Sequence, residues 1–177
     1  ALFMTNTLLL IVDVQNAIAD NKPYLFDKVL ANIKTLLEHF RNKKLPLIFI
    51  QHDDGPCSEL EVSTHGWQIV KTIAPLQGER VIAKRFNSAF RETSLEKELH
   101  DKGIKKLIIV GLQTELCIDT TIRVAFEKGF EVIIPELTNT TVDGKFLKAK
   151  EIYEHHHHLF NHRFGKIVKL EEVVKEL

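Results

Sequence analysis

Short apolar runs alternate along this chain with stretches in which apolar residues recur at helical spacing. The apolar runs predict strands over residues 8–14, 45–50, 80–83, 107–110, 131–135 and 167–170. Helical spacing predicts helices over residues 23–40, 94–102, 117–129, 143–160 and 170–177. Strands that alternate with helices in this way are typical of βαβ units. The pattern therefore predicts an α/β fold of three layers, αβα, with a mainly parallel, doubly wound sheet.

The first run, LLLIVDV at residues 8–14, contains a single carboxylate, Asp13. A strand that is apolar on both faces is typical of the centre of a parallel sheet. Active sites gather at the carboxyl ends of such strands. Because an unpaired acid in an apolar strand is costly, we favour a functional role for Asp13. The alternative is that Asp13 caps the turn that follows the strand.

The run at 107–110 is broken by Gly111 and is followed, after a short connection, by Cys117 at the start of an amphipathic helix. A tight strand-to-helix turn directs backbone N–H groups and the positive end of the helix dipole at one point. This setting predicts that the Cys117 thiolate is favoured over the thiol and acts as a nucleophile. The alternative is that Cys117 is a small buried hydrophobic residue.

Residues 52–67 show no periodicity and contain Gly, Pro, Ser and Thr, which predicts a long loop that forms a lid or pocket wall. Trp67 either stacks on a planar substrate or anchors the core. Lys84 follows three apolar residues, so its ammonium is either drawn inward or solvated as in most lysines. At one edge of a parallel sheet, Asp13, Lys84 and Cys117 would supply a base, a cation and a nucleophile for attack on a carbonyl carbon. Backbone N–H groups before the helix would hold the oxyanion.

Composition limits the classes of function. The chain has 177 residues, which suits one domain over residues 1–177, and residues 1–3 are interpreted as a cloning remnant before a natural start at Met4. Lys+Arg and Asp+Glu are both 24, so charge gives no reason to expect nucleic acid or an anionic membrane as a partner. Two distant cysteines predict a reduced, cytoplasmic setting. No Gly-x-Gly-x-x-Gly or phosphate-loop motif is present, and we predict no cofactor.

Three blocks of the sequence resemble the signature blocks of the isochorismatase-like cysteine hydrolases. The blocks are LLLIVDVQNAI, KRFNSAF and VGLQTELCIDTTIRVAFEKGFEVI, in the family's order and spacing, and the resemblance covers nearly the whole chain. It implies a Rossmann-like αβα fold and a catalytic triad of Asp13, Lys84 and Cys117. It also implies a cis peptide between Leu112 and Gln113, and an oxyanion hole built from the N–H groups of Gln113 and Cys117.

The resemblance implies hydrolysis of a small-molecule amide or carbamoyl C–N bond through a thioester on Cys117. Some relatives instead cleave the vinyl ether of isochorismate, and in that alternative Asp13 protonates the substrate and no thioester forms. A further alternative is a non-catalytic domain that binds small ligands on the same scaffold. The family resemblance also predicts a homo-oligomer, a dimer or larger.

The metal-binding pattern of the nicotinamidase branch is absent. That branch has an Asp-x-His motif and further histidines after the second strand, where this chain reads QHDDGP at residues 51–56. Here His52, Asp54 and His65 form either a metal site or a hydrogen-bonded loop, and we predict no metal. The four histidines at 155–158 advance by about 100° each on a helix and cannot all face one ion. His155 and His158 alone would share one face. Candidate substrate-pocket residues are Asn16, His52, Trp67 and Phe86.

Overall fold

Seven parallel strands form the centre of the molecule in a computed structural model that describes residues 6–177. The interpretation of residues 1–3 and Met4 lies outside the described residues. The strands are β1 (Thr7–Val12), β2 (Leu47–His52), β3 (Arg80–Lys84), β4 (Lys106–Leu112), β5 (Glu131–Pro135), β6 (Asn139–Thr140) and β7 (Lys166–Val168). Their order across the sheet is β3-β2-β1-β4-β5-β7, and the short β6 pairs with the end of β4.

Helices cover both faces of this sheet. They are α1 (Asn16–Ala19), α2 (Phe26–Asn42), α3 (Leu95–Asp101), α4 (Asp119–Glu127), α5 (Ala149–Arg163) and α6 (Leu170–Glu176). The apolar stripes of α2 and α6 pack on one face, and those of α3, α4 and α5 pack on the other. The predicted α/β fold, with three layers and a parallel sheet, is confirmed.

The chain order places the carboxyl ends of three strands side by side. The chain leaves β1 towards β2 and β3 on one side and returns to β4 on the other, so the strand order reverses next to β1. Crevices at such a reversal are where open α/β sheets bind ligands. Asp13 and Cys117 follow β1 and β4, and Lys84 is the last residue of β3. The three candidate residues therefore share this edge of the sheet.

Several strands extend further than the sequence pattern predicts, and the differences at β2 and β3 matter for the site. β2 reaches His52 instead of ending at residue 50, and β3 reaches Lys84 instead of residue 83. The register pairs His52 with Lys84 as the last partners of these two strands. Polar residues at the strand ends interrupt the apolar run without ending the backbone ladder. The apolar pattern therefore ends before the strand does in β2 and β3.

Gly111 allows β1 and β4 to approach closely just before Asp13 and Cys117. It has a φ of 131°, and a Cβ atom at this position would lie 1.9 Å from the carbonyl oxygen of Val12. No side chain fits that space, and L residues rarely adopt that backbone conformation. The glycine therefore sets the spacing between the two strands that present the acid and the thiol.

Within residues 6–177, no helix has both the length and the apolar character needed to cross a bilayer.

Candidate active site

Three side chains from separate strands meet at the carboxyl edge of the sheet. The Nζ atom of Lys84 lies 2.8 Å from Oδ2 of Asp13 and 3.1 Å from Sγ of Cys117. Asp13 follows β1, Lys84 ends β3, and Cys117 lies in the turn after β4. The structure thus brings together all three residues that the sequence predicts as a triad, with the ammonium between the acid and the sulfur.

Asp13 is a buried acid whose carboxylate oxygens are still able to accept hydrogen bonds. Its residue is 1% exposed, and its φ of 52° places the backbone in the left-handed region, a strained conformation typical of functional sites. Neither carboxylate oxygen has a well-aligned hydrogen bond within the described residues, so the contact with Lys84 is an ion pair. Burial raises the pKa of Asp13, and the charge of Lys84 opposes that rise. A buried carboxylate with a raised pKa is a stronger base than a solvated one.

Lys84 points inward, contrary to the ordinary solvated lysine that was the alternative. Its side chain is fully buried. Nζ donates to the carbonyl of Phe86 at 2.8 Å and to Sγ of Cys117, and it lies 2.7 Å from Nδ1 of His52. An ammonium has three N–H groups, and here four acceptors, including Asp13, surround it. The three N–H groups of the ammonium are therefore shared among four acceptors. When the acid or the sulfur gains or loses a proton, the hydrogen bonds of the ammonium change.

His52 links this cluster to Asp54. Because an ammonium has no lone pair, Nδ1 of His52 must accept from Lys84, which leaves the proton on Nε2. Nε2 then donates to Oδ1 of Asp54, 2.6 Å away. His52 therefore acts as a neutral acceptor whose orientation is fixed by Asp54. The sequence predicted His52 as a pocket residue and as part of either a metal site or a hydrogen-bonded loop with Asp54. It did not predict the contact with Lys84, which depends on the register between β2 and β3.

The Cys117 segment differs from the prediction. A π-helical turn, Thr114–Ile118, contains the cysteine, and α4 begins two residues later at Asp119. Burial and the negative charge of Asp13 raise the pKa of the Cys117 thiol to about 12, and Lys84 only partly opposes this. The prediction of a favoured thiolate is therefore wrong, because burial and the charge of Asp13 together outweigh the charge of Lys84. The resting group is a thiol beside a base.

Two backbone N–H groups belong to residues that line the pocket around the sulfur, Gln113 and Cys117 itself. The peptide bond between Leu112 and Gln113 is cis, at the position that the family resemblance implies. Among residues 6–177, the N–H group of Gln113 donates to no backbone carbonyl, and that of Cys117 lies within the π-helical turn. Backbone donors beside a nucleophile are the arrangement that stabilises an oxyanion.

A pocket of about 490 Å³ opens above the triad. Its lining includes Asp13, Cys117 and two of the four predicted pocket residues, His52 and Phe86. This volume lies within the range typical of small-molecule sites. Asn87 on its wall has Oδ1 3.8 Å from Sγ of Cys117. The arrangement suits a small carbonyl compound placed over the sulfur.

The other two predicted pocket residues do not line this cavity. The side chain of Asn16 donates to the carbonyl of His65, and it borders a separate groove beside Gln68. The carbonyl of Trp67 accepts from the side chains of Gln15 and Gln51. Both residues hold the loop after β2 against the sheet, so their placement is a correction. Gln15, fully buried, carries much of this anchoring and was missed because a glutamine after a strand gives no distinctive signal.

Comparison with known proteins agrees with this geometry. The family model described as "Isochorismatase domain" matches residues 7–172. The chain belongs to the isochorismatase family. It is 32% identical over 156 residues to the isochorismatase family protein YddQ of Bacillus subtilis, covering 83% of this chain and 87% of that protein. The protein is thus a hydrolase of this family.

Two further similarities bear on the fold and the reaction. The ureidoacrylate amidohydrolase RutB of Pseudomonas syringae is 30% identical over 172 residues, covering 75% of this chain and 70% of that protein. A crystal structure of a putative isochorismatase hydrolase from Oleispira antarctica superposes with a TM-score of 0.90 at 26% identity, covering 97% of each chain. The αβα architecture is thus the isochorismatase fold.

The isochorismatase-family site contains one set of potential metal ligands among the described residues. Ligand atoms of Asp13, His52 and Cys117 all lie within 4.8 Å of one another. The ammonium of Lys84 contacts all three, at 2.8, 2.7 and 3.1 Å, so a cation already occupies the space between them. His65, the third residue of the suggested metal site, instead lies 3.6 Å from Asp20. The absence of a metal stays a prediction.

The run of histidines in this isochorismatase-family chain has one buried member. His155 and His158 are exposed, whereas His157 is buried and hydrogen-bonds to Asn139 at 3.0 Å. Asn139 in turn accepts from the hydroxyl of Thr114, at 2.6 Å, in the turn that carries Cys117. His157 therefore supports the active-site turn from behind, and its contacts give no sign of a metal ligand.

Proposed function

We propose that this protein hydrolyses a C–N bond of a small-molecule amide or carbamoyl compound through a thioester on Cys117. The observation that carries the proposal is the position of one buried ammonium, on Lys84, in contact with both the carboxylate of Asp13 and the sulfur of Cys117. A nucleophile, a base and a cation are thereby placed at the base of a pocket of about 490 Å³.

In the first step, the Cys117 thiol attacks the substrate carbonyl carbon as its proton moves to Asp13. The raised pKa of the thiol, about 12, means that little thiolate exists beforehand, so deprotonation must accompany attack. Asp13 suits this role because burial raises its pKa and its oxygens are not committed to well-aligned hydrogen bonds within the described residues. A new C–S bond forms, and the carbonyl π electrons move to the oxygen.

Charge on that oxygen is stabilised by the backbone N–H groups of Gln113 and Cys117. These donors are fixed by the backbone, so no reorganisation is needed as the charge develops. Lys84 balances the charge of the cluster throughout. It pairs with Asp13 before the transfer and remains bonded to His52 and to the Phe86 carbonyl afterwards.

Collapse of the tetrahedral intermediate breaks the C–N bond. Asp13, now protonated, gives its proton to the departing nitrogen, which leaves as ammonia or an amine. The same carboxylate then takes a proton from water, whose oxygen attacks the thioester carbon. Breaking of the C–S bond releases the acid product and returns the proton to the sulfur, so one water is consumed in each cycle.

Support for amide chemistry, over vinyl-ether hydrolysis, comes from the sulfur and from the relatives. Vinyl-ether hydrolysis needs only a proton from Asp13 and gives the thiol no role. Here the thiol faces the pocket, and RutB, whose name describes an amidohydrolase, is 30% identical. Both observations favour acyl transfer.

The test is a panel of small amides and carbamoyl compounds assayed for released ammonia or amine. Wild-type protein should turn over at least one member, and Cys117→Ser should lose at least about a hundredfold in kcat because the hydroxyl is a far weaker nucleophile. Cys57→Ser is the matched control, since Cys57 is exposed and lies outside the pocket. A Cys117→Ser variant that keeps most of its rate would contradict a thioester. A panel without any turnover would favour a binding domain.

A further inference from the structure

Two arginines line the active-site pocket without a carboxylate partner. The chain has six arginines, all within the described residues. Arg41, Arg80 and Arg123 are paired with Glu79, Glu98 and Asp119 respectively. The side chains of Arg85 and Arg91 form no ion pair or hydrogen bond within residues 6–177, yet both residues line the pocket that contains Cys117. The arginines that the protein leaves unpaired include the two beside its nucleophile.

The position of each guanidinium is constrained. The guanidinium carbon of Arg91 lies 3.7 Å above the ring centroid of Phe86, a cation–π stack that holds the group while leaving its N–H edge free. Arg85 directly follows Lys84, and one of its terminal nitrogens lies so close to Gly55 that a Cβ there would be 3.2 Å away. Both residues are exposed in the segment between β3 and α3, and each guanidinium has a defined neighbour, the Phe86 ring or the Gly55 backbone.

The acidic groups near the pocket are already engaged. Asp13 pairs with Lys84, and Asp54 accepts a hydrogen bond from His52. With the thiol and His52 neutral, the site carries one more positive charge than negative. A guanidinium binds a carboxylate through two parallel hydrogen bonds, which no neutral substrate group matches.

We propose that Arg85 and Arg91 form an anion subsite, so the substrate is a small amide or carbamoyl compound with a carboxylate or similar anionic group beyond the scissile carbonyl. This rests on the proposed function, because it places the reacting carbonyl at Cys117.

The test compares two aldehydes, which bind a cysteine hydrolase by adding reversibly to the thiol. Succinic semialdehyde carries a carboxylate, whereas butanal has the same chain length and a methyl group in its place. Affinities are measured by isothermal titration calorimetry on wild type, Arg85→Gln, Arg91→Gln and Arg163→Gln. Arg163 is the matched control, because it is exposed and lies outside the pocket.

Wild type and Arg163→Gln should bind succinic semialdehyde at least about tenfold more tightly than butanal, the size expected for one charge-assisted contact. Arg85→Gln and Arg91→Gln should each reduce this ratio several-fold, and Arg91→Lys should restore part of it. Added salt should weaken the binding of succinic semialdehyde more than the binding of butanal. Equal ratios in all four proteins, or no binding of either aldehyde, would overturn the subsite.

Failure of the subsite and failure of the proposed function are distinguishable. If neutral amides are hydrolysed in a Cys117-dependent way while the ratio of the two aldehyde affinities is the same in the arginine variants, the proposed hydrolysis is supported and the anion subsite is contradicted. If the affinity ratio depends on the arginines but the amide panel gives no turnover, the anion subsite is supported and the proposed hydrolysis is contradicted. Circular dichroism of each variant checks that the fold is intact.

Discussion

At the scale of single residues, the site depends on a base that raises the pKa of its own nucleophile. Burial disfavours the Cys117 thiolate, and the negative charge of Asp13 adds to the effect. In a cysteine that is activated in advance, nearby cations outweigh burial, whereas here Lys84, 3.1 Å from the sulfur, only partly opposes the rise in pKa. The structure therefore favours proton transfer during attack.

This arrangement predicts two opposite effects of Asp13→Asn. Removing the carboxylate charge should lower the pKa of Cys117 from about 12, because one of its causes is lost. Turnover should nevertheless fall by about a hundredfold or more, because the base is gone. The thiol pKa is measured from the pH dependence of Cys117 alkylation by iodoacetamide, resolved by peptide mass spectrometry, with exposed Cys57 as an internal reference. An alkylation midpoint that stays the same or rises would contradict the account.

His52 is expected to position Lys84 without touching the substrate carbonyl. Replacing it by Leu removes the acceptor 2.7 Å from the buried ammonium, and a lost hydrogen bond to a charged group costs about 1.5–3 kcal/mol. We expect His52→Leu to lower kcat about tenfold to a hundredfold, with a smaller change in KM. His65→Gln is the control, because His65 is exposed, its side chain pairs with Asp20, and it lies outside the active-site pocket. A His52→Leu variant with unchanged kcat would show that Lys84 needs no such partner.

At the scale of elements, the short π-helical turn at Thr114–Ile118 is held from two sides. Gly111 allows β4 to lie close against β1 in front of it. Behind it, the chain of hydrogen bonds from Thr114 through Asn139 reaches His157 on α5. Burial, with a smaller contribution from the charge of His156, lowers the pKa of His157 to about 4. The ring is therefore neutral near pH 7, and its Nε2 accepts from the Asn139 amide.

Stability should therefore fall in acid through His157. The unfolded-state pKa is about 6.5, so between that value and about 4 the unfolded chain binds more protons than the folded one. Stability from this group is present at neutral pH and is lost as the pH falls, by about 3 kcal/mol at most. Urea unfolding of wild type and His157→Gln, at neutral pH and about pH 5, measures the difference.

The variant His157→Gln should show a weaker acid dependence of its unfolding free energy than wild type. His158→Gln, which changes an exposed neighbour, should retain the wild-type dependence. If both variants follow the wild-type curve, the buried imidazole does not couple folding to pH.

The sequence predicts elements more securely than it predicts contacts between them. The triad could be proposed because Asp13, Lys84 and Cys117 each follow an apolar run, and parallel strands share one carboxyl edge. The link between His52 and Lys84 depends on the exact register of β2 and β3, which the apolar pattern leaves two residues short at β2. The raised pKa of Cys117 depends on burial, and burial at a strand-to-helix turn cannot be read from neighbours in the chain.

At the scale of the whole molecule, the strand order explains why distant segments form one site. β1 lies between β2 and β4, so the acid lies between the segments that supply the lysine and the thiol. The predicted homo-oligomer stays a prediction, and light scattering of the purified protein would check it. Exposed apolar side chains such as Phe146, which is 87% exposed, are where a second copy would bury surface.

The central claim is a covalent bond between Cys117 and the acyl part of the substrate. Wild-type protein is mixed with an amide that it hydrolyses, quenched in acid within one turnover, and digested for peptide mass spectrometry. The account predicts an acyl group on the peptide that contains Cys117 and none on Cys57, appearing before product and decaying as product forms. Turnover without any acylated Cys117 at any quench time would contradict it.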